Sequence, residues 1–326
     1  MQTEQQLLRA AAGQRFWQID ALRGLALLNM LVYHAMYDWV YIFGHASGWY
    51  DIWSTHCHVW QQYICWSFIL LSGYSFTLSR RPLKNGLLTA ACAVVLTVAT
   101  AVAMPEEVIW FGVLHLLGCA ALLTCLLHPA LEKLPPLAGV TGSAVLFALL
   151  NQLPQGWLGF EGTHLAALPA AWYKPNLFWL GLPDLTVFSS SDYFPLLPWV
   201  FLYWVGYFFA RWFRARCTAQ PGLPPKALRP LCAVGSRTLL IYMLHQPVIY
   251  GALLGLHALG LAKVWVKKKE ERIMNNGCVP PTASHFNQVS CSGKKHSSQS
   301  SQPILFAPLR AAHQQYSLFI IIYYFV

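Results

Sequence analysis

Long runs of apolar residues recur along this chain between residues 19 and 261. A bilayer core is about 30 Å thick, so roughly 20 apolar residues in a helix are enough to cross it. Only 10% of the 326 residues are charged, whereas a soluble domain carries about 25%. The sequence therefore predicts an all-α protein, a multi-pass transmembrane bundle of about seven to ten spans within the lipid bilayer.

Lysine and arginine predict the orientation of this bundle. Cytoplasmic loops are enriched in both residues, and basic residues gather before the first apolar run and again at 80–84 and 211–216. We therefore expect the N-terminus to be cytoplasmic. The net charge of +10 follows from this topology, so nucleic acid is not expected as a partner.

The apolar runs and their boundaries predict the organisation of the chain. We place spans at about 19–43, 59–79, 86–103, 108–128, 137–153, 195–213 and 231–261, with the segment 154–193 on the outer surface. The pair Gly251-x-x-x-Gly255 in the last span predicts close helix packing. Residues 1–14 would form a cytoplasmic segment, 15–262 the transmembrane domain, and 263–326 a polar, disordered or atypical tail.

The first span carries ionisable side chains along one side. At 100° per residue, Asp20 and Asp38 fall at the same angle, and Arg23 and His34 lie within about 60° of them. The two aspartates would be about 27 Å apart, close to the thickness of a bilayer core. A charge that faces lipid is costly, so this polar seam should face the bundle interior or a watery cavity. It marks a candidate functional site.

The residues of this seam resemble a known family. Arg15-x-x-x-Ile-Asp20-x-Leu-Arg23-Gly, continued by Met30 and His34, is similar to the opening of the heparan-alpha-glucosaminide N-acetyltransferase catalytic domain in its bacterial branch. Softer likenesses at 112–118, 192–199 and 235–247 extend the resemblance over about residues 14–258. The resemblance implies a membrane acyltransferase in a bacterial plasma membrane. It would take an acetyl group from cytoplasmic acetyl-CoA and pass it to a sugar or glycoconjugate on the far side.

The resemblance also implies catalytic residues near the end of the first span. His45-Ala-Ser is similar to the segment that holds the family's catalytic histidine. In the lysosomal enzyme an asparagine stands eleven residues before that histidine, and here the position is His34. A neutral imidazole can deprotonate an amine or hydroxyl and can accept an acyl group. We therefore expect His45 to be catalytic, with His34 and Asp38 beside it as an Asp–His pair.

At the other end of the seam, we expect the donor to bind. Arg23, Asp20 and Arg15 would hold the phosphates of acetyl-CoA or order its tunnel, because guanidinium groups suit phosphate. Asp20 and Arg23 can instead form a helix N-cap and a local ion pair. The whole seam can also serve a transporter as a path for protons or small solutes.

Other histidines and the cysteines suggest structural roles. His115 is expected to pack in the bundle, and His245-Gln-Pro247 predicts a helix kink, because proline frees backbone carbonyls. His34 can instead be a hydrogen-bonded histidine in the core of the bundle. His45 can instead be an ordinary polar histidine at the membrane interface. The nine cysteines contain no C-x-x-C, and His56-Cys57-His58 cannot easily ligate one ion. We therefore expect no metal.

Overall fold

The computed structural model describes residues 16–103, 105, 108–216 and 224–260. The predicted N-terminal segment, Arg15 and the predicted tail lie outside these residues. The described part contains eight α-helices: α1 (Trp17–Tyr37), α2 (Thr55–Phe76), α3 (Pro82–Ala103), α4 (Val113–Leu131), α5 (Pro136–Leu150), α6 (Leu196–Arg216), α7 (Arg229–Gly235) and α8 (Thr238–Ala258). A small antiparallel sheet pairs β1 (Trp157–Phe160) with β2 (Thr163–Ala167).

The described helices confirm the all-α membrane bundle. Among them, four are long and apolar enough to cross a bilayer: α3, α4, α5 with the turn that follows it, and α8. Helices α1, α2 and α6 are just as long, at 21 or 22 residues. Helix α1 presents Leu22, Leu25, Leu28 and Val32 at its exposed surface, and it turns both seam aspartates to the buried side. This division of sides is the one expected of a helix between lipid and a protein interior.

One end of the bundle, which we call the His45 end, gathers the end of α1, the start of α2, the β-hairpin after α5 and the end of α8. His58 in α2 lies against Glu161 in the hairpin, with 3.2 Å between Nε2 and Oε2. Phe43, which follows α1, stacks on His257 near the end of α8 at 4.6 Å between ring centroids. These contacts fix which loops face one another.

The opposite end, which we call the Arg23 end, joins the start of α1 to the ends of α2, α4 and α6. Arg211 on α6 donates to the carbonyl oxygens of Leu131 (2.8 Å) and Glu132 (2.9 Å), where α4 ends. A guanidinium suits this place, because the last carbonyls of a helix lack partners within it. Arg214 donates to the carbonyl of Thr77 just after α2 (3.1 Å).

Helices α2 and α6 touch backbone to backbone in the centre of the bundle. A Cβ atom at Gly73 would collide with the carbonyl oxygen of Tyr203, and one at Gly206 would collide with that of Leu70. Only glycine at both places permits this approach. The largest buried apolar cluster surrounds the contact and includes Ile69 and Tyr207.

Two local features differ from the sequence predictions. The last predicted span, 231–261, is two helices, because the chain turns at Ser236 and Arg237 between α7 and α8. Gly235 there lies against the backbone of Asp20 on α1. The glycines at 251 and 255, for which we predicted close packing, have nothing within 4 Å of a Cβ atom among the described residues.

Candidate active site

The candidate site lies between α1 and α8. Helix α1 ends at Tyr37, and the chain continues as one π-helical turn, Asp38–Ile42. Such turns occur often at functional sites, because the wider coil re-aims a side chain. Asp38 is the first residue of this turn, and its side chain is fully buried at 0% exposure.

Asp38 is hydrogen bonded to Gln246 on α8. The Gln246 Nε2 atom donates to Oδ1 at 3.0 Å and to Oδ2 at 3.2 Å. The sequence spacing predicted His34 as the partner, and the structure instead gives the carboxylate an amide from another helix. A buried carboxylate must be satisfied by hydrogen bonds, so this contact ties α1 to α8.

His34 meets a second histidine from α8. Its ring and that of His245 pack edge to face, with 4.6 Å between centroids and 70° between planes. His245 Nδ1 lies 2.5 Å from the carbonyl oxygen of Tyr242, which requires Nδ1 to carry the proton. In the neutral ring, Nε2 then carries a lone pair, and this buried atom has no hydrogen-bond partner among the described residues.

His45 meets a third residue of α8 beyond the π-helical turn. Its Nε2 lies 3.2 Å from Nε2 of His257, and one ring donates to the other according to tautomer. Trp39 stacks flat against His45, with 3.8 Å between centroids and 14° between planes. His45 is buried, and this burial, followed by the charge of His257, lowers the pKa of His45 below its ordinary 6.5.

These contacts form three facing pairs along the α1–α8 interface. We call them the histidine column: His34 with His245, Asp38 with Gln246, and His45 with His257. The three residues from the first span and the segment just after it were sequence candidates. Their partners were not: the sequence predicted only a kink around position 245 and drew no prediction for His257. The histidine spacing was the available signal, since positions 34 and 45 are eleven apart and 245 and 257 are twelve apart.

The predicted donor residues lie at the other end of α1. Arg23 pairs with Asp20, with 3.3 Å between Nη1 and Oδ1. The Arg23 side chain is 28% exposed. The alternative of an Asp20 N-cap is wrong, because Phe16 occupies the N-cap position of α1. The helical rise places Asp20 about 27 Å from Asp38, so the seam joins two distinct places.

The remaining sequence candidates have local partners. His115 accepts from the backbone N–H of Gly112 through Nδ1 (3.2 Å), and its Nε2 lies 3.1 Å from the Thr97 hydroxyl. It therefore secures the start of α4. His56 Nε2 lies 2.6 Å from the carbonyl oxygen of Trp49. No group of three His, Cys, Asp or Glu side chains in the described ranges is placed to hold a metal ion.

Comparison with known proteins gives one match. The family model described as "Heparan-alpha-glucosaminide N-acetyltransferase, catalytic" matches residues 15–247, more than two thirds of the chain. The matched range includes every residue of the histidine column except His257. No curated protein and no solved structure matches the chain.

Proposed function

This chain belongs to the heparan-alpha-glucosaminide N-acetyltransferase catalytic-domain family, a family of membrane acyltransferases, and we propose that it moves an acetyl group from acetyl-CoA to a sugar or glycoconjugate across the membrane. The donor binds at the Arg23 end and the acceptor enters from the His45 end. The observation that carries this proposal is the histidine column. Its imidazole and carboxylate groups can accept protons, and they lie along the α1–α8 interface as far as the His45 end.

The distribution of basic residues supports a cytoplasmic Arg23 end, and we propose a bacterial plasma membrane. Six basic side chains follow α2 or end α6 there: Arg80, Arg81, Lys84, Arg211, Arg214 and Arg216. A cysteine introduced by Arg81→Cys should react with a membrane-impermeant maleimide only from the cytoplasmic side, and one introduced by Gly48→Cys only from outside. The reverse pattern would place the Arg23 end outside the cytoplasm, on the side of the membrane that lacks acetyl-CoA, and would contradict the proposal.

At the donor end, Arg23 is the residue that we propose contacts the CoA phosphates. Its guanidinium is partly exposed, and the contact with Asp20 orients it. Arg15, which lies outside the described residues, is the second candidate. Guanidinium groups bind phosphate oxygens in a bidentate manner.

The chemistry at the His45 end is an acyl transfer. The acceptor amine or hydroxyl attacks the thioester carbonyl carbon, the new C–N or C–O bond forms, and the C–S bond breaks. His45 takes the proton from the acceptor and then returns it to the CoA thiolate as the thiolate leaves. When His45 donates to His257 through Nε2, its Nδ1 carries the lone pair that this step needs.

The reaction is tested with purified protein in lipid nanodiscs. Acetyl-CoA and glucosamine are supplied, and release of free CoA thiol and formation of the acetylated sugar are both measured. A transporter that uses the same seam would release no thiol. The variant His45→Ala should lower kcat by about 10²–10⁴-fold, the usual loss for a general base, while leaving acetyl-CoA binding unchanged.

Two further variants locate the chemistry within the column. His34→Ala should also reduce turnover, and it should reduce stability as well, because its ring packs on His245. His128→Ala is the matched control, since this half-exposed histidine lies at the Arg23 end beside Glu132. If His45→Ala keeps wild-type turnover and His34→Ala does not, the base is the histidine within the bundle. If both keep it, the column is structural.

A further inference from the structure

The segment that carries His45 is a widened helix end. The N–H of Phe43 donates to the carbonyl oxygen of Asp38, five residues back, at 2.9 Å, and the N–H of His45 donates to that of Trp39, six residues back, at 3.1 Å. At an ordinary helix end that closes with a left-handed residue, each of these bonds spans one residue fewer. The π-helical turn therefore adds one residue to the cap of α1, and His45 is the residue that closes this cap.

Gly44 makes the chain reversal that closes the cap. Its φ angle is +71°, a left-handed conformation that glycine adopts readily and that a residue with a Cβ atom disfavours by about tenfold. Apart from its neighbours in the chain, no described residue lies within 4 Å of a Cβ atom built at this position. The position therefore requires a particular backbone conformation and leaves room for a side chain, so a substitution there changes the cap without a steric clash.

Two aromatic rings from the same segment cover the outer faces of the histidine pair. Trp39 stacks on His45, with 3.8 Å between centroids and 14° between planes. Phe43 stacks on His257, with 4.6 Å between centroids and 12° between planes. The two imidazoles meet through their Nε2 atoms, 3.2 Å apart. Stacking of this kind fixes the plane of a ring and leaves the nitrogens at the ring edge available to partners.

The chain on both sides of His45 is attached to the bundle by other contacts. The Tyr50 hydroxyl donates to the carbonyl oxygen of Tyr33 on α1 (3.2 Å). The Tyr41 hydroxyl, from the π-helical turn, accepts from the backbone N–H of Ile52 (3.2 Å). These contacts do not involve the cap itself. A change within the cap should therefore displace His45 without releasing the loop that follows it.

We propose that Trp39 and Gly44 are positioning residues, which together fix the ring of His45 so that Nε2 is engaged with His257 and Nδ1 is the nitrogen offered to the acceptor. Neither glycine nor an indole accepts a proton, so both act through His45. A displacement of about 1 Å at a reacting group can cost about 10²-fold in rate. The role of Nδ1 rests on the proposed function, whereas the placement of the ring rests on the cap and the stacking alone.

The backbone part of the proposal is tested with Gly44→Ala, Gly44→Asn and Gly48→Ala in nanodiscs. Gly44→Ala should lower kcat for acetyl transfer about tenfold, because alanine disfavours the left-handed conformation, and should leave the KM for acetyl-CoA unchanged. Asparagine tolerates this conformation better, so Gly44→Asn should recover most of the loss. Gly48 has similar open space among the described residues but no positive φ, so Gly48→Ala should match the wild type.

The side-chain part is tested with Trp39→Leu and Trp39→Phe. Leucine removes the flat surface that covers the His45 imidazole, so kcat should fall about fivefold, the usual worth of an aromatic pair. The uncovered ring should also react faster with diethyl pyrocarbonate, as measured by mass spectrometry of the His45 peptide. Phenylalanine keeps a flat surface and should restore most of both. Trp172→Leu, which removes an exposed indole after the β-hairpin, should change neither.

Amide hydrogen exchange separates this inference from the proposed function. The His45 amide is closed by its bond to Trp39, so it should exchange about tenfold faster in Gly44→Ala than in Gly48→Ala, while peptides from α2 and α4 stay protected in both. Faster exchange in a protein that transfers no acetyl group supports the cap, and the proposed reaction then fails alone. If the wild type is active and both Gly44→Ala and Trp39→Leu keep its kcat, the positioning role is overturned. Unchanged exchange together with unchanged reactivity of His45 would also overturn it.

Discussion

Replacing Gln246 by leucine should expose how much the α1–α8 contact contributes to stability. Leucine keeps most of the side-chain volume and removes the amide that donates to both oxygens of Asp38. A hydrogen bond to a charged group contributes about 1.5–3 kcal/mol. Removing the partner of a fully buried charge costs about 3–5 kcal/mol. Asp38 can escape part of that cost by taking up a proton, so we expect Gln246→Leu to lose about 2–3 kcal/mol.

The loss is measured by tryptophan-fluorescence unfolding in detergent, and a second substitution identifies its origin. Asp38→Asn removes the charge, so the double variant should recover about 1 kcal/mol relative to Gln246→Leu alone. Asn85→Leu, at the exposed Arg23 end, should stay within about 0.5 kcal/mol of the wild type. The reasoning is refuted if Gln246→Leu matches that control, or if the costs of the two substitutions simply add.

Three further changes test other parts of the structure. Arg23→Ala should raise the KM for acetyl-CoA more than it lowers kcat, because a phosphate contact is present in ground and transition states alike; an unchanged KM would remove Arg23 from the donor site. Because the pKa of His45 is lowered, the neutral imidazole persists below pH 6.5. The contribution of His45 to the free energy of unfolding is complete above pH 6.5, and it declines as the pH falls towards the lowered pKa. The acidic limb of kcat/KM should therefore lie below pH 6.5 and move up in His257→Ala, and a fixed limb would contradict the pairing. Gly235→Ala should lower the unfolding temperature by driving a Cβ atom into the backbone of α1, whereas Gly251→Ala, with open space around it, should not; equal effects would contradict the close approach.

The first span shows what a sequence can predict about such a site. Helical periodicity and the cost of charge in lipid placed Asp20 and Asp38 on one inward side, and the structure buries both. The same reasoning paired Asp38 with His34, since residues four apart on a helix are neighbours. The true partner, Gln246, lies 208 positions further along the chain. No spacing within one helix carries that information, because it depends on how two helices pack.

The break in the last predicted span has a similar origin. In the apolar run from 231 to 261 the proline lies at 247, and Arg237 is the one Lys, Arg, Asp or Glu, so neither a proline nor a charge cluster marks a helix end at 236. The helix ends there because α7 lies against α1, with Gly235 on the backbone of Asp20. A run of apolar residues predicts that a helix forms, whereas the place where it stops is decided here by a neighbour.

Helix α8 supplies half of the histidine column and yet buries none of its residues among the described part of the chain. Helix α1, by contrast, buries eight, from Asp20 to Tyr37. Separating the two halves of the column therefore breaks a few polar and ring contacts, together with the packing of Ile241 and Tyr242 against the buried clusters. Local openings of a protein follow such weakly packed elements. We therefore expect α8 to separate from the bundle at a lower free-energy cost than α1 does.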